Sequence, residues 1–130
     1  VQSVEAPAIY ISPIAKRTSD DVASVKVRGK GLPPSRSLSL TISGCTVVSA
    51  SHALSGSSNI VFLHNGGTLD LGVGPGGTLI EGDLDLLTLV LEIPSVSDTT
   101  LVQITECDLR DTSHTTVKLA TVRGGLIVRR

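Results

Sequence analysis

Aromatic residues are almost absent from this chain of 130 residues, which has one tyrosine, one phenylalanine and no tryptophan. A conventional sugar-binding module presents aromatic rings to the faces of its sugars. Tyr10 and Phe62 are the whole supply, and we expect at least one of them to lie in the core. The shortage argues against a carbohydrate-binding module, which is kept as an alternative.

An excess of positive charge is also missing. The formal net charge is −1, so no basic field indicates a nucleic-acid partner. No apolar run approaches the roughly 20 residues that a membrane helix needs. With 40% hydrophobic residues the chain is expected to fold, and its length suits a single domain over residues 1–130. We therefore expect neither nucleic acid nor a membrane among its partners.

Methionine is absent and cysteine is scarce. Because the chain begins at Val1 and has no methionine, we expect it to be a processed protein or a domain of a larger one. Cys45 and Cys107 are too few for a disulfide scaffold and do not form a C-x-x-C pair. A single disulfide, two buried thiols and two unrelated thiols remain open.

The spacings of common catalytic and metal sites are missing as well. His52, His64 and His114 form neither H-x-H nor H-E-x-x-H, and we expect them at the surface. The glycine-rich segments lack the lysine and the following helix of a phosphate-binding loop. No G-x-S-x-G motif is present. The sequence therefore predicts a protein that is not an enzyme and has no cofactor; a hydrolase with a scattered site is the catalytic alternative.

The densest acidic run covers residues 81–85 and includes Glu81, Asp83 and Asp85. It has part of the carboxylate density of a calcium loop, but not the complete D-x-D-x-D-G rhythm with a late glutamate. Aspartates that cap turns explain the run better, and a calcium site is the alternative.

The residues that are abundant indicate β-structure. Leucine, valine and isoleucine number 17, 15 and 9, and branched side chains pack well on a pleated sheet. Leu38, Leu40 and Ile42 alternate with serine and threonine, which predicts a half-buried strand. Residues 86–93 are the most apolar stretch; a strand is preferred there over a helix because Pro94 ends it. About nine short strands, separated by glycine, proline and asparagine turns, predict a sandwich or barrel.

In the order of its motifs the chain resembles the cohesin domain, the module that binds dockerin domains in cellulosome-type scaffolds. The resemblance covers about residues 5 to 129. It depends on Asp21-Val22-Ala23-Ser24-Val25-Lys26-Val27, on the strand 38–43 with the short strand after it, on Asn65-Gly66-Gly67-Thr68-Leu69-Asp70-Leu71, on residues 82–93, and on Gly125-Leu126-Ile127-Val128. The chain departs from the family pattern at Ile42-Ser43, where the family often has Tyr-Asp. It also departs in the long apolar strand, where Leu89 or Val90 stands in place of the aromatic residue of the family.

The resemblance implies a nine-stranded jelly-roll β-sandwich and a non-catalytic module that binds a dockerin-like partner through one sheet face. In the family that face is formed by strands three, five, six and eight. The calcium belongs to the partner, and the module is extracellular or at the cell surface as part of a larger protein. The main alternative is a structural sandwich domain of a surface or extracellular protein with no ligand of its own. Because side chains alternate between the two sides of a strand, the outward positions of these strands assign the following residues to the face: Ser39, Thr41, His64, Asp70, Gln103 and Thr105.

Removal of divalent metal ions is expected to leave the stability of the chain unchanged, because no ligand cluster can be read from the sequence. The measurement is thermal unfolding with and without EDTA. A melting temperature lowered by several degrees would contradict the expectation and identify Glu81, Asp83 and Asp85 as the ligands to test.

Overall fold

The computed structural model describes residues 5–12, 15–18, 21–53, 60–74, 79–93 and 99–129, and these residues form strands and turns without a helix. Within them there is thus no helix that could cross a membrane. The strands are β1 (Ala8–Ser12), β2 (Ala15–Thr18), β3 (Val22–Ser43), β4 (Thr46–His52), β5 (Ile60–Asn65), β6 (Thr68–Val73), β7 (Ile80–Glu92), β8 (Thr99–Asp111), β9 (Thr121–Arg123) and β10 (Gly125–Arg129).

Backbone pairing joins all ten strands into one curled sheet with two layers. The first half of β3 pairs with β1 and β7, and β4 and β9 extend this layer at its two edges. The second half of β3 pairs with β6 and β8; β5, β10 and β2 complete the other layer. Two of the pairs, β1 with β9 and β2 with β10, are parallel.

The all-β jelly-roll prediction is confirmed, with differences in the individual strands. Residues 15–18 form a strand, β2, that the sequence did not indicate. The alternation over residues 115–122 also predicts a strand, but only residues 121 and 122 of this range are in β9. Pro94, which was expected to end the long apolar strand, lies outside the described residues; β7 itself ends at Glu92.

Alternation over residues 23–27 and again over 38–42, with glycines and prolines between them at 29–34, predicts two separate strands, but these residues form one continuous strand of 22 residues. Its register against β7 shifts three times, between Val27 and Arg28, between Gly29 and Leu32, and between Leu32 and Ser35. Such bulges bend a strand without ending it. The glycines and prolines of this segment therefore mark a bend that carries β3 from one layer to the other.

Aliphatic side chains from both layers fill the core. On β7 the side chains of Leu87, Leu89 and Leu91 are buried, and on β3 those of Leu38 and Leu40 are buried. The helix alternative for residues 86–93 is therefore wrong. Neither aromatic residue is fully buried: both Tyr10 and Phe62 are half-buried, and Phe62 packs against the core from β5.

Leu89→Ala is expected to lower the free energy of unfolding by about 2–5 kcal/mol, because a fully buried leucine leaves a cavity when truncated. Thr88→Ala is the matched control, since Thr88 is the residue before Leu89 in β7 and points to the outer side. Urea unfolding of both variants is the measurement. A loss under about 1 kcal/mol for Leu89→Ala would contradict this packing.

Candidate functional site

Strands β5, β6, β3 and β8 lie side by side in this order, so their outward side chains share one surface. The pairing that the family resemblance implied for strands three, five, six and eight is therefore present. We call this surface the four-strand face. Its outward residues are Ser37, Ser39, Thr41, Ser43, Val61, Leu63, Asn65, Thr68, Asp70, Gln103, Glu106, Asp108 and Arg110.

The centre of the face is a serine between two aspartates. Ser39 of β3 is opposite Asp70 of β6 on one side and opposite Asp108 of β8 on the other. The Ser39 hydroxyl donates to Asp70 Oδ1 over 2.6 Å. Asp70 points outward because Leu69 and Leu71, its neighbours on β6, are buried in the core. Ser39, Thr41 and Asp70 therefore point outward, as the alternation of side chains along their strands predicts.

The carboxylates of the face differ in their partners. Arg110 Nε lies 3.1 Å from Asp108 Oδ2, and the same guanidinium donates to the carbonyl of His114 over 3.0 Å. Neither Asp70 nor Glu106 has an ion-pair partner among the described residues. Three carboxylates and one guanidinium leave the face with negative charge, and the unpaired carboxylates are those of Asp70 and Glu106.

A bulge in β8 divides the residues that the sequence assigned to this strand. Thr41 is opposite Glu106, but the next residue, Ile42, is opposite Ile104, so Thr105 lies in the bulge. Its hydroxyl donates to the Thr41 carbonyl over 3.4 Å. Gln103, opposite Ser43, is on the face as expected. Thr105 is exposed but is not one of the regular outward positions of β8. Beyond the bulge these positions are occupied by three residues that were not predicted from the sequence: Glu106, Asp108 and Arg110.

The sequence of β8 carries only a partial signal for this bulge. Val102 and Ile104 lie on the core side in the first part of β8, where the apolar Leu101 is exposed, whereas Cys107 and Leu109 lie on the core side in the second part. The core side thus changes from even to odd residue numbers between Ile104 and Cys107. A strand with an extra residue on one side produces such a phase change.

The assignment of His64 to the face is not supported by the register of β5. His64 is opposite Leu69, whose side chain enters the core, so the regular outward positions of β5 are those of Val61, Leu63 and Asn65. His64 is exposed because it lies near the hairpin turn, and its Nε2 is 2.9 Å from the Gly66 carbonyl oxygen. A shift of one residue inverts the face of a strand, and the Asn-Gly turn did not fix the register of β5 from the sequence.

Val61 and Leu63 give the face an apolar border. Each side chain is 60% exposed, which is high for aliphatic residues. A cavity of about 320 Å³ lies between this border and the polar centre, and among its lining residues are Ser39, Val61, Leu63, Asp70 and Asp108. The cavity therefore has one aliphatic wall and one acidic wall.

The described residues contain no group of three or more histidine, cysteine, aspartate or glutamate side chains that could hold a metal ion. The acidic run of residues 81–85 lies on β7, and two of its carboxylates contact other strands. Asp83 Oδ1 accepts the Gly31 N–H over 2.7 Å, and Asp85 pairs with Lys26 and Arg28. These contacts explain the two aspartates without calcium.

Both cysteines are free thiols, so of the possibilities left open by the sequence the disulfide is not formed. Cys107 points to the core side of β8, opposite Leu40. Burial, together with the negative charge of Asp108, raises the pKa of the Cys107 thiol to about 11, and burial raises the pKa of Cys45. Neither thiol has the lowered pKa of a nucleophile.

Cys107 is expected to resist alkylation by iodoacetamide at pH 8. A pKa raised from 9.0 to about 11 lowers the thiolate fraction roughly a hundredfold in the folded state. The folded state keeps its proton more tightly, so this contribution to stability is present below pH 9 and is lost as the pH rises towards 11. Peptide mass spectrometry with and without urea measures the labelling; equal rates in both conditions would contradict the burial of this thiol.

The chain resembles known proteins in structure rather than in sequence. The chain matches no protein-family model and no curated protein sequence. Among solved structures it is similar to a non-cellulosomal cohesin from the hyperthermophilic archaeon Archaeoglobus fulgidus, with a TM-score of 0.67, 16% identity, and coverage of 95% of this chain and 90% of that one.

A chain of a type I cohesin–dockerin complex from Clostridium thermocellum gives a TM-score of 0.69 at 16% identity, over 94% of this chain and 97% of that chain. A cohesin module of a family 33 glycoside hydrolase from Clostridium perfringens gives 0.62 at 14% identity, over 94% and 98%. Each similarity extends over nearly the whole of both molecules. The chain therefore has the fold of a cohesin module.

Proposed function

We propose that the chain is a non-catalytic protein-interaction module that binds a dockerin-like domain on the four-strand face. The observation that carries the proposal is the composition of this face: the carboxylates of Asp70 and Glu106 have no cationic partner among the described residues, and Val61 and Leu63 expose aliphatic surface beside them. The cohesin fold and the cohesin–dockerin complex among the similar structures support the same assignment.

The chemistry of the face defines what a partner must supply. An aliphatic side chain that covers Val61 and Leu63 removes apolar surface from water, which contributes roughly 25 cal/mol per Å². A lysine or arginine at the edge of this contact can reach Asp70 and form a charge-assisted hydrogen bond. A partner helix with apolar residues next to basic ones has both groups within reach of the cavity.

The shape of the face suits a folded partner better than a small substrate. Four paired strands provide a broad surface, and a standard interface covers about 800 Å² on each partner. In this proposal calcium belongs to the dockerin-like partner, and the module acts outside the cell or at the cell surface as part of a larger protein. A structural domain without a ligand is the competing function, and the binding experiment below separates the two.

Asp70→Ala is expected to weaken binding of the dockerin-like partner about tenfold or more, because a donor of the partner would remain buried without an acceptor. The melting temperature is expected to change little, since Ser39 is the one side-chain hydrogen-bond partner of Asp70 among the described residues and Asp70 points away from the core. The measurement is calorimetric titration with calcium-loaded dockerin domains from the source organism, beside thermal unfolding. Leu63→Ala tests the apolar border in the same assay.

Glu81→Ala is the matched control, because it removes an exposed carboxylate from β7, in the other layer. Its affinity is expected to equal that of the unmodified chain. An absence of binding to every calcium-loaded dockerin domain would refute the proposed partner. Tight binding that Asp70→Ala and Leu63→Ala leave unchanged would instead move the interface to another surface.

A further inference from the structure

The outer side of the opposite layer is a second polar surface, and cations predominate at its centre. The strand registers place Arg123 of β9, Tyr10 of β1, Arg28 of β3 and Asp85 of β7 directly opposite one another in a single row. In the neighbouring row Lys26 lies between Ser12 and Thr88. These side chains share one side of the sheet, because residues in direct register point to the same face.

A cleft opens beside these two rows, and we call it the Lys26 cleft. Its volume is about 460 Å³, within the range of small-ligand sites. Three cations and one carboxylate leave it with a net positive charge. The hydroxyls of two serines add neutral hydrogen-bond donors. The lining residues are Ser12, Lys16, Ser24, Val25, Lys26, Arg28 and Asp85.

Asp85 neutralises only part of this charge. Its carboxylate lies 2.7 Å from Arg28 Nε and 3.3 Å from Lys26 Nζ, so one anion is shared between two cations. The Lys26 side chain is 54% exposed and can still reach a ligand in solvent. Glu92 is on the same side of β7, but it lies four residues beyond Thr88, roughly 13 Å along the strand.

The aromatic ring on this surface is not free to stack on a ligand. The Arg123 guanidinium carbon lies 5.1 Å from the centre of the Tyr10 ring and covers one of its faces. Arg123 Nε is buried and has no hydrogen-bond partner among the described residues. Charge and hydrogen bonds are therefore the main contacts that this surface offers to a ligand.

We propose that the Lys26 cleft and the adjoining row bind an acidic polysaccharide, one that carries carboxylate or sulfate groups at regular intervals. Lys26 and Arg28 are two residues apart on β3, which separates them by about 7 Å. Arg123 is two strands away from Arg28 in the same row, a distance of about 10 Å. Cations at such intervals match a chain with one anionic group on each sugar or each second sugar. The serine hydroxyls of the cleft can bond to the sugar hydroxyls between these groups.

This site is independent of the proposed partner interface. The four-strand face is formed by β5, β6, β3 and β8 and has unpaired carboxylates, whereas the Lys26 cleft is lined by β1, the first half of β3 and β7 of the opposite layer, with Lys16 of β2 at its edge. A polyanion is repelled by the first surface and attracted by the second. One molecule can therefore hold a protein partner and a polysaccharide at the same time.

The test is affinity electrophoresis and calorimetry with three probes: polygalacturonate, dextran sulfate and neutral dextran. We expect both polyanions to bind and neutral dextran not to bind, with affinity that falls as ionic strength rises. The stronger of the two polyanions identifies the carboxylate or the sulfate as the preferred group. Lys26→Gln is expected to weaken binding about fivefold, and Lys16→Gln with Lys26→Gln about tenfold or more.

Lys118→Gln is the matched control, because it removes the same charge from an exposed lysine outside the cleft. Its affinity is expected to stay within about twofold of the unmodified chain, and Asp85→Asn is expected to bind more tightly. Equal losses for Lys118→Gln and Lys26→Gln would show attraction by net charge alone and overturn the site. Equal binding of neutral dextran, or no binding of either polyanion, would overturn the ligand class. Asp70→Ala keeps full polysaccharide affinity, so failure of the partner interface is distinguishable from failure of this site.

Discussion

Strand β3 is the one element on which both layers depend. Its first half holds β1 and β7, its second half holds β6 and β8, and its bulges turn the backbone from one layer to the other. Its side chains alternate between the core and the surface on both sides of the bend. A change that ended β3 at the bend would therefore separate the two layers and leave each with an exposed apolar side.

The same strand supplies the centre of each candidate surface. Ser39, in its second half, lies between the two aspartates of the four-strand face, and Lys26 and Arg28, in its first half, line the opposite cleft. Carboxylates outnumber cations around Ser39 and cations outnumber carboxylates around Lys26, while the chain as a whole has a net charge of only −1. Net charge describes association with other molecules poorly when the charges of each sign occupy separate surfaces.

Period-two alternation was sufficient to predict the fold class, the central strands and the outward position of Asp70. It failed where the backbone adds a residue. Gly29, Gly31, Pro33 and Pro34 are ordinary strand breakers, and only the pairing of both halves of β3 with long neighbours keeps the strand continuous. The bulge at Thr105 and the register of His64 have the same origin: parity is counted along one strand, whereas register is set by the neighbouring strand.

The two parallel pairs have a mechanical consequence. In the β2–β10 pair, Ala15 is opposite Leu126 and Thr18 is opposite Arg129, so the first and last strands of that layer run in the same direction. Tension that pulls Ala15 and Arg129 apart acts along both strands in opposite senses, and it loads their hydrogen bonds together in shear instead of opening them one by one. The β1–β9 pair has the same arrangement in the other layer. A module built in this way resists being stretched between its ends more than an antiparallel hairpin with the same number of hydrogen bonds.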